Sequence, residues 1–176
     1  MMLQLRTITF QYDPQQDRIL AVINVGQEEN WSCWLTRRMT IAAIAQVGQL
    51  VERTSELGKK ANPEFRSDML AFERDAALVD TAKAVTLTPK ASVKESASTT
   101  ECAKRFSVTH VRQKFLLELE GASGEVAKAS IARSVFQRVL RALEDEVAKA
   151  DWLVDTGRDP GKQPPPSAAT PRMVRH

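Results

Sequence analysis

Arg18-Ile19-Leu20-Ala21-Val22-Ile23 and Lys114-Phe115-Leu116-Leu117-Glu118-Leu119 fall into register without a gap when the chain is slid by 96 positions, the distance from Ile19 to Phe115. The same offset lays Leu35, Arg37, Met39, Ala43, Ile44, Val47 and Val51 over Ile131, Arg133, Val135, Val139, Leu140, Leu143 and Val147. Apolar positions meet apolar positions, and one arginine meets another where a helix is expected to begin. The pattern predicts an α+β fold of two pseudo-repeated antiparallel strand units, each followed by a helix, with an inserted helix between them. The units are expected at about residues 3–58 and 84–153, the inserted helix at about 63–81. Short turns between the strands are the reason to expect antiparallel pairing.

Local signals place the elements. Residues 3 to 12 alternate and are rich in Ile, Thr and aromatic side chains, as one strand would be. Asp13-Pro14-Gln15-Gln16-Asp17 reads as a turn, residues 18 to 25 as the second strand and Trp31 to Leu35 as the third. Thr36 is placed to cap a helix whose apolar face is Leu35, Met39, Ala43, Val47 and Leu50, and Gly58 to stop it. Asn62-Pro63-Glu64 is a helix start, and Phe65, Met69, Phe72, Ala76 and Val79 recur at spacings of four and three. Residues 84–88 read as a strand and 90–103 as a loop. Strands at about 105–110, 114–120 and 126–131 then lead into a helix from Arg133 to Asp151.

With 176 residues the chain accommodates one domain, expected over residues 1–153, with a disordered Pro-rich tail over 154–176. The tail carries Arg158, Lys162, Arg172 and Arg175 against Asp155 and Asp159, a net +2 of the chain's +3. A near-neutral body is a poor match to the concentrated basic face of most nucleic-acid binders. Cys33 and Cys102 are too far apart in sequence to read as a metal pair, and two reduced thiols are expected. The N-terminus alternates like a strand and no run is long enough for a membrane span, so a cytoplasmic protein without a membrane partner is expected.

Catalytic signatures are missing from the pattern. His110 and His176 lack neighbours at metal-ligand or triad spacing. Gly121-Ala122-Ser123-Gly124 lacks the Lys-Ser/Thr that completes a phosphate loop. No cofactor and no small-molecule substrate is inferred, and a non-enzymatic role is expected. The candidate binding residues are Trp34, Arg37, Arg38 and Arg133. Arg37 and Arg38 in a first helical turn oppose the helix dipole, which prefers anions there. They serve either an anion contact beside Trp34 or a structural pairing. Structure is the favoured role for Arg37, and exposure the favoured state of Arg38. Strand alternation turns Trp31 to the core and Trp34 outward.

Trp34-Leu35-Thr36-Arg37-Arg38, following a turn and a strand, resembles a loose group of small bacterial proteins of unassigned function. The resemblance implies no activity, cofactor or site. In architecture alone, two strand-rich units each closed by a helix are similar to the Whirly and PUR nucleic-acid-binding folds. The function expected from the whole is an interaction module, either a protein-binding adaptor or a homodimeric scaffold. The alternative is single-stranded nucleic-acid binding across an exposed sheet face.

Overall fold

The computed structural model describes residues 2–24, 30–79 and 100–152. Seven strands are ordered β1-β7-β6-β5-β4-β3-β2 in one mixed sheet. They are β1 (Met2–Gln4), β2 (Ile8–Asp13), β3 (Arg18–Ile23), β4 (Trp31–Thr36), β5 (Glu101–Val111), β6 (Lys114–Gly121) and β7 (Val126–Ala132). The helices are α1 (Arg37–Thr54), α2 (Glu56–Lys60), α3 (Arg66–Val79) and α4 (Arg133–Lys149), with a 3-10 turn at Pro63–Phe65. Four neighbouring pairs are antiparallel, whereas β1–β7 and β4–β5 are parallel.

The sheet curls back on itself. Residues 5–7 are all that joins β1, at one edge, to β2, at the other. Seven strands laid flat would separate those edges by about 29 Å, from a spacing of about 4.8 Å. The four Cα steps from Gln4 to Ile8 reach at most about 15 Å. Asn24, at the end of β3 with φ 54°, closes the seam. Its Oδ1 accepts from the Arg6 and Thr7 amides at 2.8 and 3.2 Å, and its Nδ2 donates to the Gln4 carbonyl at 2.9 Å.

Inside the curl lies one core. Ile8 and Phe10 of β2, Ile19, Ala21 and Ile23 of β3, Cys33 and Leu35 of β4, and Phe115, Leu117 and Leu119 of β6 share it with Phe136, Leu140, Leu143 and Val147 of α4. Phe115 and Phe136 stack with centroids 4.3 Å apart. Helix α1 begins where Thr36 Oγ1 accepts from the Met39 amide at 3.3 Å, as its N-cap position predicts. Trp152 closes the end of the core beyond α4, edge-on to Tyr12 and donating to Asp17 at 2.7 Å.

Two repeated antiparallel units with one inserted helix are not what the chain builds. The alignment does recover local register: Ile19 faces Leu35, Phe115 faces Ile131, and Arg37 and Arg133 each open a helix. Beyond that the halves do not separate. The stretch expected as one strand splits, and its first piece pairs in parallel with β7. Strands β4 and β5 join the halves by parallel pairing. Helix α1 packs on β5 as well as β4, and α4 reaches across to β2 as well as β6 and β7. The helix expected to stop at Gly58 ends at Thr54 and is followed by α2, which contains Gly58, and the stretch expected as one inserted helix is a 3-10 turn and then α3. β5 begins at Glu101, inside the stretch read as a loop. The expected strand at 84–88 and the tail at 154–176 lie outside the described residues.

Candidate docking face on helix α3

Trp34 stands on the sheet face opposite the core, half-buried, with Leu20 of β3 and Cys102 of β5 as its cross-strand neighbours. Arg18 donates to the Cys102 sulfur at 3.4 Å beside it. Arg37 and Arg38 are exposed at the start of α1. Arg133 is not: it is four-fifths covered and ties three helices together. Its guanidinium donates to Thr54 Oγ1 and the Val51 carbonyl at the end of α1, each at 2.8 Å. Its Nε lies 2.6 Å from the Glu73 carboxylate of α3, and the guanidinium sits over the Phe115 ring at 5.8 Å. Arg37 and Arg133 therefore share a register position but not an environment. The four candidates do not converge on one cleft.

Elsewhere several polar groups build corners of the fold. Burial pushes the Glu101 carboxyl up, but hydrogen bonds from the Ser123 amide and hydroxyl, the Trp31 indole and the Ala122 amide outweigh it and hold the group below its usual value. Burial drives the Cys33 thiol up to about 12, which disfavours the thiolate. The His110 ring is tilted on Phe115 at 4.9 Å. A hollow of about 420 Å³ between α1 and α2 is lined by Arg53, Lys59, Arg66, Gln49, Glu52 and Gly58, without histidine or cysteine. Among the described residues no three His, Cys, Asp or Glu side chains group as metal ligands, and no helix is long and apolar enough to cross a membrane.

The feature that stands apart is α3, whose amphipathicity is turned outward. None of its residues is buried. Its ties to the body are largely polar: Glu73 takes Arg133 and accepts from Ser55 at 2.8 Å, and Arg74 pairs with Glu144 of α4. Arg66 donates to the Gly58 carbonyl at 3.2 Å. Leu70, Ala77 and Leu78 are its partly covered apolar side chains. Phe72 is 64% exposed and Val79 77%, with Met69 and the preceding Phe65 exposed beside them. An ordinary surface helix does the reverse and turns its apolar stripe to the core. The periodicity located this stripe, but periodicity cannot tell which way an amphipathic face points. Apart from Arg66 to Gly58, the polar ties that orient it join residues 18 to 70 positions apart, such as Ser55 to Glu73 and Arg74 to Glu144, and no local pattern encodes them.

No protein-family model, no curated protein and no solved structure matches this chain.

Proposed function

We propose that the protein is a non-enzymatic, protein-binding module and that the outward face of α3 is its docking surface. The observation that carries this reading is the row Met69, Phe72 and Val79 of α3 with Phe65 of the turn before it, all exposed, on a helix held by Glu73 and Arg74. Single apolar side chains are normal on a surface, but an aligned row is the mark of an interface. A helix presenting apolar residues at spacings of three and four is the usual half of a helix-to-helix contact.

The single-stranded nucleic-acid reading has less support. On the outer sheet face Lys104 pairs with Glu120, Arg105 with Glu118 and Glu120, and Lys128 with Glu118. Arg133 is occupied by Glu73. Such charge is already balanced, whereas phosphate binding needs cations free to replace counterions.

The test is photocrosslinking in the native host with a benzophenone amino acid at position 72 of the full chain, and at exposed Ala122 as control. A discrete crosslinked species is expected from position 72, absent at 122 and lost when Phe65→Ser is added. Absence of any adduct at 72, or an adduct indifferent to Phe65→Ser, would contradict the proposal.

A further inference from the structure

The partner of the α3 face can be narrowed by charge, and the argument rests on reading that face as a docking surface. The exposed stripe fits a heptad in which Met69 and Ala76 take position a, and Phe65, Phe72 and Val79 take position d. The two flanking columns are then Asp68 and Asp75 at g, and Arg66 and Glu73 at e. Arg66 and Glu73 are already engaged, with the Gly58 carbonyl and with Arg133. Asp68 and Asp75 are exposed, and both lie on the same side of the stripe. The g side of the rim is therefore acidic.

Flanking columns decide which helix a coiled-coil face accepts, because like charges set against each other oppose pairing. A second copy is the wrong occupant on this ground. In an antiparallel pair the g column meets itself, and Asp68 and Asp75 face the same two aspartates. In a parallel pair Asp68 meets Glu73 of the other copy. A partner helix with Lys or Arg beside its apolar seam meets Asp68 and Asp75 with opposite charge. We infer that the α3 face receives a basic amphipathic helix from a different protein, its apolar seam on Phe65, Met69, Phe72 and Val79 and its basic flank along Asp68 and Asp75.

Two synthetic three-heptad peptides test this, both with Leu at a and d, one with Lys at e and g and the other with Glu. Their binding to the full chain is read by fluorescence anisotropy, and the chain's own mass by light scattering. The Lys peptide is expected to bind at least about tenfold more tightly at low salt, a difference of about 1.4 kcal/mol. The preference should shrink in high salt and vanish in Asp68→Asn/Asp75→Asn, while Phe72→Ser weakens both peptides. Equal binding of the two peptides, or preference for the Glu peptide, would overturn the basic partner and leave the docking face standing. A dimeric chain whose face admits neither peptide would also overturn it, in favour of a second copy. A monomer that binds neither peptide would overturn both this inference and the docking reading beneath it.

Discussion

The Arg133 guanidinium stands 2.6 Å from the Glu73 carboxylate, so the first residue of α4 anchors the helix that carries the exposed stripe. The same side chain reaches the last turn of α1 through the Val51 carbonyl and Thr54 hydroxyl. Together with the Arg74–Glu144 pair, this arginine holds α3 against the body.

Arg133→Ala is expected to destabilise the protein by about 2–3 kcal/mol. Breaking a fully buried pair costs about 3–5 kcal/mol, and the fifth of each side chain that meets solvent lowers that figure. Arg133→Lys should restore less than half, because an ammonium cannot serve three acceptors set around a planar fork. Urea denaturation measures both, and amide exchange should speed up in α3 more than in α4.

Gly121 has no room for a side chain. A Cβ there would lie 2.6 Å from the Trp31 ring and closer still to the Glu101 carboxylate. Gly121→Ala should cost about 1–3 kcal/mol, in the range of overpacked cores. Intrinsic fluorescence should shift to the red as Trp31 is displaced, and an unchanged spectrum and melting temperature would count against the packing described.

The Glu101 corner gives a pH dependence of definite sign. Its carboxyl is held below the usual value of 4.5 in the folded state. Its contribution to stability is therefore complete above the unfolded-state pKa and is lost as pH falls through the lower, folded-state value. Glu101→Gln should flatten the fall in stability below about pH 4.5 and leave the slope near neutrality unchanged. Thermal melts of the parent and variant from pH 7 to 3 read this directly.

Thr40 is fully buried in the first turn of α1, and its hydroxyl has no hydrogen-bond partner. Thr40→Val keeps the shape and removes the stranded group. A gain of about 1 kcal/mol is expected from equilibrium unfolding.

Much of the fold was legible because it is written locally. Thr36 announced a helix cap, Asp13-Pro14 a turn, and the apolar period of α1 the side that buries Ala43 and Val47. The break at residues 5–7 was not legible, since Leu3, Leu5, Thr7, Thr9 and Gln11 on one side and Ile8, Phe10 and Tyr12 on the other read as one continuous strand. What decides that break is Asn24, a polar side chain folded onto amides 17 and 18 residues away. Parallel pairing of β1 with β7 and of β4 with β5 is equally non-local. At the candidate face, the stripe from Phe65 to Val79 was visible as a period. Its outward orientation depends on Glu73 and Arg74 finding Arg133 and Glu144, which no helical wheel contains.

The most direct test of the central claim, that the aromatic side chains of the α3 face serve docking and not the fold, is chemical denaturation of Phe65→Ser/Phe72→Ser. Both rings are more than half exposed. Stability within about 0.5 kcal/mol of the parent is expected, as for surface substitutions. A loss of about 2 kcal/mol or more would show that these rings pack within the fold and would contradict the account.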